Sequence, residues 1–197
     1  MTIPDSTLPL LKAANSRADL ARILEIKHKD LTYLLYVKGE ASNYKSFLIP
    51  KKRGGTRAIH APIDEVRSLQ RKLADTLEKC MVEIALSNKA KANSASHGFR
   101  VGKSILTNAA VHRNRLYVLN IDLKDFFPSI TGRRIRGFLI KDRDFNLHKD
   151  VATAIAHIAC FDNCLPQGSP CSPVLSNLIA GVLDLHLALL AKRCGLE

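Results

Sequence analysis

The sequence predicts an α+β fold, on three observations along its 197 residues. Apolar residues recur every three or four positions in several stretches, which indicates amphipathic helices. Two short segments rich in strand formers flank the turn-like residues 51–55, which indicates a β-hairpin. A third run, at 116–121, has the length and composition of a buried strand. Helices mixed with strands in this way favour an α+β architecture.

The first 40 residues predict a helical element. Ser16 is a candidate N-cap, with Asp19 at the third helical position as in a capping box. Apolar residues then recur at near-helical spacing as far as Leu35, although residues 28–30 could interrupt the run. Residues 39–43 are turn-like and lead into the hairpin, whose strands we expect at 44–50 and 56–61.

Further helices are predicted after the hairpin. A long amphipathic helix is indicated by the spacing of Val66, Leu69, Leu73, Leu77, Met81 and Ile84. Residues 87–96 are small and polar without periodicity, which predicts a mobile loop. Core stripes of later helices are expected at Ile135, Phe138 and Leu139, at Val151, Ile155 and Ile158, and at Val174, Leu178, Val182, Leu185 and Leu189. One central strand is too little for a sheet, so we expect more strands downstream of this sequence.

The charge of the chain favours a polyanionic partner. Its 30 Lys and Arg against 18 Asp and Glu give a formal charge of +12, which suits nucleic acid through counterion release. A generically basic surface remains the alternative. We identify no apolar run near the roughly 20 residues that span a bilayer, and no signal peptide. Five cysteines in no disulfide framework suit a reducing compartment, so we expect a cytoplasmic protein without membrane contact.

Asp122 is the leading candidate for chemistry. It directly follows the apolar run 116–121, where a lone carboxylate is costly unless a cation neutralises it. This predicts a metal ligand. The alternative is an aspartate that caps the next turn.

Five segments, in order, resemble those of retron-type bacterial reverse transcriptases, within the wider group II intron-like superfamily. They are FLIPKKRGGTRAIHAP at 47–62, SHGFRVGKSILTNAAVH at 96–112, YVLNIDLKDFFPSI at 117–130, GRRIRG at 132–137 and LPQGSPCSPVLSNLIAG at 165–181. The pair formed by the third and fifth segments is the most specific. The NAxxH pattern at 108–112 is similar to one that marks retrons within the superfamily.

The resemblance implies a right-hand polymerase fold. Residues 1–40 would be an N-terminal helical element, 41–112 the fingers and 113–197 an incomplete palm. Asp122 matches the first catalytic aspartate, which holds two Mg²⁺ ions with further carboxylates, and the carbonyl of Leu123 helps hold the nucleotide-bound ion.

The resemblance also implies contacts to the incoming nucleotide and to RNA. A guanidinium and a lysine would grip the triphosphate, a bulky ring would act as a steric gate against ribose, and a glutamine and glycine would lie against nucleotide and template. The nucleotide-binding set is Lys51, Lys52, Arg57, Asp125, Phe127, Gln167 and Gly168. The RNA-binding or template-binding set is Arg53, Asn108 and His112.

Several of these assignments have an alternative in which the residue has no direct role in catalysis. The basic hairpin could merely contact RNA backbone, and Asp125 could be a solvated turn carboxylate. Phe127 could be a core aromatic. Because neighbouring strand residues point to opposite faces, only one of Phe126 and Phe127 is expected to line the pocket.

The function implied is RNA-directed DNA synthesis on a structured noncoding RNA that serves as template and primer, in anti-phage defence. RNA–DNA duplex, dNTPs and an effector protein are the expected partners. Related enzymes continue into a hairpin with adjacent aspartates, usually YADD, and no Asp-Asp pair occurs in this sequence. We therefore expect a fragment that is inactive alone. A non-catalytic RNA-binding module and a non-retron bacterial reverse transcriptase are the alternatives.

Overall fold

A computed structural model describes residues 6–51, 54–87, 96–100 and 102–196. Lys52, Arg53 and most of the predicted loop at 87–96 lie outside this part of the chain. Within it the α-helices are α1 Thr7–Ala13, α2 Arg17–Ile23, α3 His28–Thr32, α4 Asp64–Ser87, α5 Ile105–Val111, α6 Gly132–Lys141, α7 Lys149–Ala159 and α8 Ser172–Arg193. The strands are β1 Tyr44–Pro50 and β2 Thr56–Pro62. This mixture of helices with a small sheet agrees with the α+β prediction.

Helix α2 begins where the sequence predicted, but the helical run breaks at a different place from the one expected. The capping box is confirmed, since Ser16 Oγ accepts a hydrogen bond from the Asp19 amide and the Asp19 carboxylate accepts one from the Ser16 amide. Residues 28–30, which could have interrupted the run, instead begin α3. The break comes earlier, where Glu25 has a φ of +51° and the Ile26 amide donates to the Ala21 carbonyl at 3.0 Å. This is a Schellman ending that lacks its usual glycine.

Helix α1, which the apolar pattern did not predict, is anchored to α4 by Glu83. The Glu83 carboxylate accepts hydrogen bonds from Ser6 Oγ at 2.5 Å and from the amides of Thr7 at 2.8 Å and Leu8 at 2.9 Å. Burial alone would raise the pKa of Glu83, but these three hydrogen bonds outweigh it and hold the pKa below its usual range. Glu83 thus supplies the N-terminal cap of α1 from a distant part of the sequence.

The hairpin and the long helix are confirmed. Strands β1 and β2 pair antiparallel, with Tyr44 opposite Pro62 and Pro50 opposite Thr56. One face of α4 is buried against the core, as the apolar spacing predicted. Helix α4 packs against α1, α7 and α8, and α6 and α7 pack on each other.

The prediction of a buried strand at 116–121 is wrong. The segment is irregular, and Leu116 and Tyr117 are 95% and 93% exposed. A strand forms where a neighbouring strand satisfies its backbone, and in the described part of the chain the hairpin is the whole sheet. The apolar run therefore has neither a hydrogen-bonding partner nor a cover there.

Helix α8 is a core helix in its first half alone. Val174, Leu175 and Ile179 are buried, whereas the predicted core residues Val182, Leu185 and Leu189 are exposed, because no described element covers this face. By length and composition α8 could also cross a membrane, contrary to the expectation that no apolar run came near that length. Core helices can meet the same criterion of length and composition, and in α8 the first half contributes buried residues.

Candidate active site

The hairpin and two later segments of the sequence meet through backbone hydrogen bonds. The Leu165 amide donates to the Ile130 carbonyl at 3.0 Å, which joins the segment after Asp122 to the segment before Gln167. The His60 amide of β2 donates to the Gln167 carbonyl, also at 3.0 Å. Strand β2, the end of the 122–130 segment at Ile130 and the 165–170 loop are therefore neighbours, as sequence order alone could not establish.

Gly168 packs directly against β2. Its φ is +113°, and a Cβ built there would lie 3.2 Å from Ile59 Cγ2 and 3.3 Å from the His60 carbonyl oxygen. Both the backbone angle and the lack of space require glycine. Gln167 is half-buried beside it, whereas Gly168 is exposed on its other side. The turn thus lies against the β1–β2 hairpin with one side open to solvent.

A buried polar network lies behind this turn. Gln70 Nε2 donates to the Tyr44 hydroxyl at 2.7 Å and to the Ile158 carbonyl at 2.8 Å, and Gln70 Oε1 accepts from Ser169 Oγ at 2.8 Å. Burial raises the pKa of Tyr44 above its usual value, so the phenol stays protonated. Sequence reasoning missed Gln70. The signal was a polar residue on the apolar face of α4, beside Leu69 and Leu73.

Asp122 and Leu123 are exposed at the end of the irregular segment. A carboxylate and a backbone carbonyl are oxygen donors of the kind that Mg²⁺ prefers, so the donor types fit. The set is incomplete, because no group of three or more His, Cys, Asp or Glu gathers anywhere in the part of the chain described. Mg²⁺ often keeps several waters and substrate phosphates among its ligands. The exposed position of Asp122 is therefore compatible with Mg²⁺ binding.

Phe126 and Phe127 lie on a turn and not on a strand. The Ser129 amide donates to the Asp125 carbonyl at 2.9 Å, and the Ile130 amide to the Phe127 carbonyl at 3.0 Å. Asp125 is exposed, with a φ of +50°. Both rings are half-buried against the core, with centroids 5.7 Å apart. The strand premise behind the expectation of opposite faces was therefore wrong, because strand alternation does not apply to a turn.

The described cations of the hairpin are exposed. The Lys51 amide donates to the Gly55 carbonyl at 3.0 Å, which closes the turn, and Lys51 itself is exposed. Arg57 pairs with Ile49 across the hairpin and is exposed as well. Because Arg57 lies two residues before Ile59, both are on the face of β2 that meets Gly168. The predicted guanidinium thus shares a face with the Gln167–Gly168 turn.

Asn108 and His112 lie on helix α5, Ile105–Val111, and at its C-terminal end. Helix α5 begins with a capping box between Ser104 and Thr107, a helix that periodicity did not predict. Asn108 within it and His112 at its end are four residues apart, so they share one exposed face. In the residues that the structure describes, no hydrogen bond joins them to the Gln167–Gly168 turn.

The sequence matches a known family over most of its length. Residues 49–192 match the family described as reverse transcriptase (RNA-dependent DNA polymerase). The retron Mx162 reverse transcriptase of Myxococcus xanthus is 34% identical over 206 residues, which cover 94% of this chain and 40% of that protein. The retron Ec86 reverse transcriptase of Escherichia coli is 31% identical over 188 residues, which cover 94% of this chain and 54% of that protein.

A third relative, the retron Mx65 reverse transcriptase of Myxococcus xanthus, is 36% identical over 171 residues. The alignment covers 78% of this chain and 37% of that protein. The chain therefore spans about half, or less, of the length of these curated relatives.

Proposed function

Because the chain belongs to the reverse transcriptase family and is of the retron type, we propose that it is part of an RNA-directed DNA polymerase that copies a structured noncoding RNA into DNA. One observation carries the proposal. The segments that contain Arg57, Asp122 and Gln167 are separate in sequence, yet backbone hydrogen bonds link β2 to the Gln167 turn and that loop to the segment after Asp122. A polymerase needs metal, triphosphate and template contacts at one such place.

The proposed architecture is a right hand. Residues 1–40 form an N-terminal helical element, 41–112 the fingers, and 113–197 the start of the palm. The exposed apolar residues Leu116, Tyr117 and Leu185 support a palm that further strands would cover, since apolar patches of this kind mark contact surfaces. Those strands, with the remaining catalytic carboxylates and a thumb, would belong to a longer protein.

The proposed metal site uses Asp122 and the carbonyl oxygen of Leu123 as ligands of Mg²⁺. Two bound Mg²⁺ ions would activate the primer hydroxyl and neutralise charge on the transferring phosphoryl group. The Asp122 carboxylate supplies negative charge and the Leu123 carbonyl a neutral oxygen. Carboxylates outside the present sequence would complete the set.

The proposed nucleotide site surrounds the Gln167–Gly168 turn. Arg57, with Lys51 or Lys52, would hold the triphosphate, because a guanidinium binds phosphate oxygens in pairs and a lysine adds a mobile charge. The turn would lie against the nucleotide and templating base, with Phe127 beneath the sugar. Asp125 would stand near the triphosphate. RNA contacts are proposed at Arg53, Asn108 and His112.

The proposed partners are a structured noncoding RNA that provides template and primer, the RNA–DNA duplex, and dNTPs. The formal charge of +12 supports polyanionic partners. An effector protein and a role in anti-phage defence in the bacterial cytoplasm extend the proposal. A non-catalytic RNA-binding module is the second candidate for the chain by itself, because the described residues gather no complete set of metal ligands.

Sugar selection tests the polymerase proposal. In the full-length enzyme on a primed RNA template, we expect efficient dNTP incorporation and poor rNTP incorporation. Phe127→Val should raise the ratio of kcat/KM for rNTP to that for dNTP by about tenfold or more, because it opens space beneath the sugar. Single-nucleotide incorporation kinetics measure this ratio.

Phe126→Val is the matched control for Phe127→Val. Both rings are half-buried and pack against the same core, so both substitutions should create cavities there and lower stability. If Phe127 were only a core residue, both nucleotides would be used less well and their ratio would stay constant. A changed ratio in Phe126→Val alone would show that the gate is the other ring.

A further inference from the structure

We infer that Gln70 and Ser169 are positioning residues for the incoming nucleotide, because they fix the Gln167–Gly168 turn against β2. This inference rests on the proposed function and deepens it. Neither side chain is placed to touch a nucleotide, since Gln70 is fully buried and Ser169 is 5% exposed. Their effect on the reaction would pass through the turn, which precedes Ser169 directly in sequence.

The Gln70 side chain forms hydrogen bonds to three different parts of the fold. Its Nε2 donates to the Tyr44 hydroxyl of β1 and to the Ile158 carbonyl of α7, at 2.7 and 2.8 Å. Its Oε1 accepts from Ser169 Oγ at 2.8 Å. A side-chain amide has two donor hydrogens and one acceptor oxygen, so both the donor and the acceptor groups of Gln70 are hydrogen-bonded. Gln70 therefore joins the hairpin, α7 and the 165–170 loop at one point.

A glutamine at this position is not what the core alone would select. The neighbouring positions on the same face of α4 are Val66, Leu69 and Leu73, all buried. Burying an amide is unfavourable unless its hydrogen bonds are made, and an apolar side chain of similar size would fill the space without that cost. What the glutamine adds is direction, because its hydrogen bonds fix the orientation and distance of the groups it joins.

The turn is held on both sides of Gly168. On one side, the carbonyl of Gln167 accepts from the His60 amide of β2 at 3.0 Å. On the other side, the hydroxyl of Ser169 donates to Gln70. The two attachments converge, because β2 pairs with β1 and β1 begins with Tyr44, the other partner of Gln70. The hairpin and the turn would therefore move as one unit.

The expected consequence is a specific kinetic one. If Ser169 loses its hydroxyl, Gln70 Oε1 is left buried without its partner and the turn loses one of its two attachments. A less well positioned turn would bind the nucleotide more weakly, while the metal ligands at Asp122 and Leu123 would stay in place. KM for dNTP should therefore change much more than kcat.

The experiment uses the full-length enzyme with a primed RNA template. We expect Ser169→Ala to raise KM for dNTP by about tenfold and to leave kcat within about twofold. Hydrogen exchange at the His60 amide should accelerate in the same variant. Ser176→Ala is the matched control, since Ser176 is 2% exposed and its hydroxyl donates to the Pro173 carbonyl within α8. It should change neither quantity.

Tyr44→Phe provides a second, milder variant should Ser169→Ala fold poorly. It removes the hydroxyl that Gln70 contacts and keeps the ring contact with Phe161, whose centroid is 4.6 Å away. It should raise KM in the same direction by a smaller factor. In a double variant, Tyr44→Phe and Ser169→Ala should have less than multiplicative effects, because both act through Gln70.

The outcomes separate this inference from the function on which it rests. An active parental enzyme with unchanged KM and unchanged His60 exchange in Ser169→Ala would overturn the positioning role and leave the polymerase proposal standing. A parental enzyme that makes no DNA on RNA would overturn the polymerase proposal and with it any role in nucleotide binding. A fall in kcat alone, without a change in KM, would also contradict the positioning role.

Discussion

Asp122→Asn should reduce Mg²⁺-dependent DNA synthesis by the full-length enzyme at least about a thousandfold. The substitution keeps the shape of the side chain and removes the charge, and an amide oxygen binds Mg²⁺ far less well than a carboxylate. Single-turnover incorporation of one dNTP on a primed RNA template measures the effect. RNA affinity, measured by filter binding in the same buffer, should stay within about twofold.

The structure predicts that this loss will not come from unfolding. Asp122 is exposed, and its side chain makes no hydrogen bond or ion pair within the described part of the chain. Surface substitutions of this kind usually change the free energy of unfolding by no more than about 0.5 kcal/mol. Asp75→Asn is the matched control, because Asp75 is likewise exposed, on α4, and is assigned no role. Synthesis by Asp122→Asn near the parental rate would show that Asp122 is not a metal ligand.

Gly168→Ala should lower kcat/KM for dNTP by about a hundredfold, since a displacement of roughly 1 Å near reacting groups can have an effect of that size. The added Cβ would meet Ile59 and the His60 carbonyl at 3.2 and 3.3 Å, and the φ of +113° is unfavourable for alanine. We expect the free energy of unfolding to fall by about 1 to 3 kcal/mol. Thermal melting and incorporation kinetics give the two quantities.

Gly137→Ala is the control for Gly168→Ala. Gly137 lies within α6, and a Cβ there would meet nothing within 4 Å. Alanine is the better helix former, so this variant should be more stable by about 0.5 to 1 kcal/mol and equally active. If Gly168→Ala melted lower yet used dNTP as well as the parental enzyme, the turn would be a structural feature remote from the nucleotide.

Local sequence signals predicted local structure well. The capping box at Ser16, the hairpin around residues 51–55 and the apolar stripe of α4 depend on neighbours within a few residues, and all three are confirmed. The end of α2 was misjudged because Glu25 takes the left-handed conformation that glycine normally signals. Helix α1 was missed because its cap, Glu83, lies more than 70 residues away in sequence.

Signals that depend on distant neighbours failed. The apolar run at 116–121 has strand composition, yet a strand needs a partner, and none is present in the described residues. The second half of α8 has a core stripe that no described element covers. The candidate site likewise divides into features that local sequence predicted and features that it did not. Motifs indicated Arg57, Asp122 and Gln167, whereas the backbone hydrogen bonds that make their segments neighbours, and the role of Gln70, required the structure.

The proposed function requires that Asp122 and the Gln167–Gly168 turn belong to one metal-dependent nucleotide site. The most direct test uses a complex of the full-length enzyme with an RNA template, a chain-terminated primer and the next dNTP. In this complex Fe²⁺ replaces Mg²⁺. Peroxide and ascorbate then produce radicals at the iron that cut the nearby backbone, and mass spectrometry maps the cuts. We expect cuts beside Asp122 and at Gln167–Gly168, both absent in Asp122→Asn. Cuts at only one of these segments, or the same cuts in Asp122→Asn, would contradict a shared site.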